Sequence, residues 1–164
     1  MSRHNDSLLQ DSGIPSMANA VIVLLHTEWN HEVVDELVRG CEAALGKHKV
    51  RKIVKVQVPG AVELPFACRR YYEATAGGPE SPDALIWLGC VIRGGTPHFE
   101  YVCQAVTEGA TQLNLVLPVP VIFGVLTVDT AEQAAERTGG VHGHKGEEAA
   151  LTALKMIALN RKLT

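Results

Sequence analysis

The chain has 164 residues, 46% hydrophobic and 20% charged, with a formal net charge of −3. That length and apolar content suit one domain with a sizeable core. The mildly acidic balance, without any lysine or arginine run, argues against nucleic-acid or membrane partners, so a small ligand is expected.

No apolar stretch approaches the ~20 residues of a membrane span, and the N-terminus lacks a signal peptide's apolar segment, so a cytoplasmic enzyme or binding protein is the default. Residues 1–18 are polar, contain Gly13 and Pro15 and keep no period; they read as an arm before a single domain over 19–164. "NAVIVLL" (19–25) is a continuous β-branched run, fit for a strand buried on both faces. From Asn30 to Leu45, Val34, Leu37, Val38, Cys41, Ala44 and Leu45 share one helical stripe. "IVKVQV" (53–58) alternates Val54, Val56 and Val58 with Lys55 and Gln57, the pattern of a half-exposed strand suited to a sheet edge. "PGAVELPFACRRYYEATA" then turns into a second helix, and "GGPESPD" (77–83) is a loop by composition.

"ALIWLGC" (84–90) gives the third strand, and residues 98 to about 115 repeat apolar side chains at helical spacing. A fourth strand ("VPVIFGVLTV"), a short helix ("DTAEQAAERTG") and a long terminal helix ("KGEEAALTALKMIALNR") complete the order. Alternating strands and helices predict an α/β fold, a parallel sheet with helices on both faces. Pattern alone leaves the strand order open.

In such a sheet the turns after the strands share one edge, where ligands bind. Three of those turns carry unusual residues: "HTEWN" with Trp29, "PGAVE" with Glu63, and "VIRGGTPH" with a glycine pair and His98. Together they offer an aromatic plate, a carboxylate, an anion nest at a helix N-terminus and an imidazole. Each also has a plain structural reading. Trp29 can be packing, Glu63 suits a first helical turn through the helix dipole, Gly94 and Gly95 suit a tight turn, and His98 can be merely exposed.

Other motifs are missing. There is no G-x-G-x-x-G after the first strand, no Walker lysine loop and no G-x-S-x-G elbow. Cys41, Cys68, Cys90 and Cys103 form no C-x-x-C pair and read as reduced core residues. His142 and His144 lie in a glycine loop without a neighbouring cysteine or carboxylate and read as solvated, so no metal is expected. Arg137 and Lys145 are the remaining cations of interest, each otherwise a solvated helix-end charge.

Four collinear segments, "VPGAVELP", "LGCVIRGGTPHFEYV", "PVIFGVLTVDTAEQAAER" and "KGEEAALTALKM", resemble the signature segments of the lumazine synthase family across residues 19 to 161. The resemblance implies a flavodoxin-like three-layer sandwich with a four-stranded parallel sheet. It implies condensation of 5-amino-6-(D-ribitylamino)uracil with 3,4-dihydroxy-2-butanone 4-phosphate to 6,7-dimethyl-8-ribityllumazine, the penultimate step of riboflavin biosynthesis, with no cofactor or metal. The alternatives are a non-catalytic lumazine or flavin carrier, or a shell-forming protein, on the same fold; the joint presence of Thr96, His98 and Arg137 argues against both.

By the same resemblance, Trp29 stacks on the pyrimidine with Asn30 beside it, and Ala61, Val62 and Glu63 meet the ring and ribityl chain. Cys90, Val91 and Ile92 offer backbone groups to the pyrimidine edge, Gly95 and Thr96 hold the phosphate, and His98 moves protons. Phe123 and Arg137 reach in from an adjacent subunit, Phe123 onto the ring and Arg137, assisted by Lys145, onto the phosphate. Two positions depart from the family pattern. Gly95 replaces a commonly larger residue, and Cys90 replaces a small or hydroxyl one, which leaves a side-chain contact there open. A homo-oligomer is implied, a pentamer or twelve pentamers in a sixty-chain shell, with riboflavin synthase as a candidate partner. The short link 137–146 favours the shell; Pro15 in the arm opposes it, because proline suits only the edge or end of a strand.

Overall fold

The computed structural model describes residues 9–164. Its main sheet has four parallel strands in the order β2-β1-β3-β4: β1 (Val21–Thr27), β2 (Lys52–Val58), β3 (Ala84–Ile92) and β4 (Val121–Val128). The apolar runs became the central strands, because β1 and β3 have a neighbour on each side and a helix layer on each face. Lys55 and Gln57 point outward from β2, an edge strand as its alternation predicts.

Five α-helices follow in chain order among the described residues: α1 (His31–Lys47), α2 (Leu64–Thr75), α3 (His98–Val116), α4 (Ala131–Ala135) and α5 (Lys145–Leu163). The period-2 alternation of each strand divides the core between two faces. Ile22, Leu24, Ile86, Leu88 and Ile122 pack with α1 and α5, whereas Val23, Leu25, Leu85, Trp87 and Val125 pack with α2 and α3. This is the three-layer α/β sandwich expected, with a flavodoxin-like strand order. Each fully buried Leu or Ile contributes about 1.5–3 kcal/mol relative to exposure.

Several boundaries move. β1 begins two residues later than predicted, after a turn in which the Ala20 N–H donates to the Met17 carbonyl, and β3 continues to Ile92. Residues 1–8 of the arm lie outside the described residues; beyond them Met17 is fully buried and Ile14 packs on the same cluster. The largest difference lies between the last helices. α4 stops at Ala135, and the glycine-rich link forms a small antiparallel hairpin, β5 (Thr138–Gly140) with β6 (Gly143–His144). Gly139 (φ 109°) and Gly143 (φ 77°) adopt backbone that side chains disfavour. A hydrogen bond from Lys145 N–H to the Arg137 carbonyl (2.8 Å) closes the hairpin.

His144 is correspondingly not solvated. Its ring fills a notch left by Gly40 on α1, where a β-carbon would come within 2.1 Å of it. Its Nδ1 accepts the Gly146 N–H at 3.2 Å, capping α5, and its Nε2 is buried without a partner among the described residues. His142 stays half-exposed, 3.6 Å from Glu136. Cys41, Cys68 and Cys90 are buried free thiols, and Cys103 is half-buried. Burial pushes Cys41 up to about 12 and Cys68 and Cys90 up to about 11, so these thiols stay protonated near neutrality. No helix of the described residues is long and apolar enough to cross a membrane.

Candidate active site

The sheet's carboxyl edge has a step in it. Pairing between β1 and β3 ends at His26 opposite Leu88, while β3 continues beside β4 to Ile92 opposite Val128. The step lies where strand order reverses, since the chain passes from β1 outward to β2 and then back to β3 on β1's other side.

Backbone bonds sew the first turn to the second. The Glu28 N–H donates to the Val58 carbonyl at 2.9 Å and the Trp29 N–H to the Pro59 carbonyl at 3.2 Å. From below, the buried Thr27 hydroxyl donates to the Trp29 carbonyl at 3.3 Å. Asn30 adopts the left-handed conformation (φ 58°, ψ 40°), and its side-chain amide donates to the Cys90 carbonyl at 2.8 Å. The Trp29 side chain is left 74% exposed.

In the second turn, Ala61–Glu63 form one 3-10 turn leading into α2. Ala61 is buried, Val62 is exposed, and the Glu63 carboxylate lies close against Gly60. Glu63 has no cation or hydrogen-bond donor on its side chain among the described residues, which leaves its oxygens free to accept from a ligand.

The third turn is an open loop. Gly94, Gly95, Thr96 and His98 are exposed, and Pro97 precedes α3 without any side-chain cap. The N–H groups of Gly94, Gly95 and Thr96 have no partner among the described residues, so the positive end of α3 is available to an anion.

Arg93, which sequence reasoning missed, clamps the base of this loop. Its N–H donates to the Val128 carbonyl at 2.9 Å, and its guanidinium pairs with Asp129 at 2.7 Å and with Glu100 while lying 4.2 Å over the Phe99 ring. The bond to Arg93 holds the Glu100 carboxyl below its usual range. With two carboxylates already beside it, Arg93 anchors the loop rather than competing for an anion.

Trp29, Asn30, Ala61, Val62, Glu63, Cys90, Val91, Ile92, Gly95, Thr96 and His98 thus lie along one edge. Phe123 and Lys145 do not join them. Phe123 pairs with Trp87, five positions before the Ile92–Val128 pair. At about 3.3 Å per residue that places it roughly 16 Å from the edge. It is 41% exposed on edge strand β4 and shares with Lys145, Glu148 and Thr152 a groove of 450 Å³ between β4 and α5. Lys145 is paired with Glu148 at 2.7 Å. Arg137 donates to the Gln133 carbonyl at 3.1 Å and has no carboxylate partner among the described residues.

Residues 19–161 match the family model described as 6,7-dimethyl-8-ribityllumazine synthase. Relatives of that name include those of Porphyromonas gingivalis, 46% identical over 160 residues (96% of each chain), and Cytophaga hutchinsonii, 45% identical over 161 residues (96% of this chain and 98% of the relative). A third, from Parabacteroides distasonis, is 45% identical over 148 residues, 89% of each chain. With a match of this extent over a sheet whose carboxyl edge carries these three turns, the chain belongs to the 6,7-dimethyl-8-ribityllumazine synthase family.

Proposed function

We propose that a domain over residues 19–164 uses this edge to condense 5-amino-6-(D-ribitylamino)uracil with 3,4-dihydroxy-2-butanone 4-phosphate. The observation that carries the placement is the stitching of the first turn to the second, by Trp29 to Pro59, and to β3 beyond the step, by Asn30 to Cys90. Trp29 offers a face to the pyrimidine, Glu63 accepts from ribityl hydroxyls, and β3 beyond Leu88 presents backbone where β1 no longer pairs. The unpartnered N–H groups around Gly95 and Thr96 receive the phosphate.

In the reaction the pyrimidine's 5-amino nitrogen adds to the ketone and water leaves, giving an imine. Phosphate then departs by β-elimination, and the ribityl-bearing nitrogen closes the second ring with loss of another water. Each step moves a proton, and His98, exposed at the start of α3 beside the phosphate loop, takes and returns it. Holding two reactants in register supplies several kcal/mol more, on the order of 7 in favourable cases.

One chain does not complete the site. Its loop cation Arg93 is already paired with Glu100 and Asp129, Phe123 lies roughly 16 Å from the edge, and Arg137 has no carboxylate partner among the described residues. We therefore assign Phe123 and Arg137, with Lys145 beside them, to a neighbour's edge in a closed ring of five chains. The short hairpin link 137–146 favours assembly of twelve rings into a shell. The function is tested by incubating purified protein with both substrates. Lumazine fluorescence with equimolar phosphate release is expected; binding of both substrates without either product would overturn the reading.

A further inference from the structure

We propose that Asn30 is a positioning residue: its side chain ties the Trp29 turn to β3 and fixes the aromatic plate, rather than itself binding the pyrimidine. The proposal rests on the reading of this edge as the active site.

The Trp29 ring is 74% exposed, so packing does little to place it. Its position follows from its backbone, which is held at the N–H by Pro59 and at the carbonyl by the Thr27 hydroxyl. The Pro59 tether lies on the β2 side, and the Thr27 hydroxyl, packed below the turn against Gly89 of β3, makes no hydrogen bond to that strand among the described residues. Asn30 supplies the tether across the step, where its amide reaches a carbonyl 60 residues away on β3. That bond continues lateral hydrogen bonding two residues beyond the last β1–β3 pair, His26 with Leu88. A side chain thus substitutes for strand pairing at the point where the sheet opens.

The backbone of Asn30 makes the arrangement specific. Its left-handed conformation turns the chain from β1 into α1, and its carbonyl accepts the Val33 and Val34 N–H groups at 3.0 and 3.1 Å. Among residues with side chains, Asn and Asp enter this conformation most readily, and of the two only Asn carries an N–H donor. Glycine would accept the backbone and lose the tether. Aspartate would accept the backbone and set a carboxylate oxygen against the Cys90 carbonyl.

Asn30→Gly and Asn30→Asp therefore separate the tether from the turn. Trp29 and Trp87 are the protein's two tryptophans. Because Trp87 is fully buried, a blue-shifted emission component reports that each variant is folded, while the solvent-exposed component follows Trp29. Both variants are expected to lower the emission anisotropy of Trp29 in the ligand-free protein. They should raise the pyrimidine KM about 3- to 10-fold, the span of one lost hydrogen bond, with kcat and the KM for the butanone phosphate within about 2-fold of wild type. Unchanged Trp29 anisotropy in both folded variants overturns the proposal, and a raised pyrimidine KM alongside it would make Asn30 a direct ligand. Failure of the underlying reading is seen separately, in the wild type: Trp29 emission would then not respond to the pyrimidine at all.

Discussion

At the residue scale, His98 tests whether the helix start does chemistry. Its side chain is exposed and makes no contact that the fold needs, so His98→Ala should lower turnover by roughly 10- to 10⁴-fold with circular dichroism and assembly mass unchanged. Unaltered turnover would remove His98 from the mechanism. The cysteines give an independent check on the core. Cys68 and Cys90 stay protonated up to about 11 and Cys41 up to about 12 in the fold, against about 8.5 in an unfolded chain. Unfolded thiols therefore ionise first as pH rises, so the stability these residues confer is intact below about pH 8.5 and declines above it. Urea midpoints that fall between pH 8 and 10, with these three thiols slow to react at pH 8, are expected; rapid native labelling at pH 8 would contradict the buried assignment. The edge positions of Trp29, Glu63 and His98 were legible in the sequence because each lies in the turn, or at the helix start, that follows a recognisable strand. Arg93 was not, because its partners Glu100 and Asp129 are 7 and 36 positions away and only the fold brings them to one guanidinium.

At the element scale, the four main strands and four long helices follow the periodicities by which they were predicted, and a terminus moved only where a turn or a neighbour decided it. β3 is an example: it extends to Ile92 because β4 continues beside it. The hairpin at 138–144 escaped detection because two left-handed glycines make its shape, and glycine carries no apolar period to read. His144 was misjudged for the same reason, since the Gly40 notch that receives it lies on α1, over one hundred positions earlier. The closeness of α1 to α5 is directly testable. A β-carbon at Gly146 would come within 2.1 Å of the Leu37 carbonyl oxygen, a backbone atom that cannot swing away. Gly146→Ala should cost at least the ~1–3 kcal/mol typical of overpacking, read as a lower urea midpoint, and a wild-type midpoint would show that the two helices are not so closely apposed.

At the scale of the whole molecule, the distance of Phe123 from the carboxyl edge is the observation behind the proposed association of chains. Sequence could list the site residues, but only the strand register shows that Phe123 lies too far from the edge to serve its own chain. A ring of five has a mass of about 88 kDa and a shell of sixty about 1,060 kDa, from copies of 17.7 kDa. Light scattering at neutral pH should give the larger value if the short link permits contacts between rings, whereas a single species near 88 kDa would sink the shell and leave the ring. An active monomer would remove both.

Mixing two inactive variants tests the shared site most directly. His98→Ala chains keep a sound Arg137, and Arg137→Ala chains keep a sound His98, so a ring assembled from equal amounts pairs the two sound residues at about one junction in four. Co-refolded mixtures are predicted to form 6,7-dimethyl-8-ribityllumazine at about a quarter of the wild-type rate, far above either variant alone. A mixture no faster than the mean of its two components would contradict a site built between neighbouring chains.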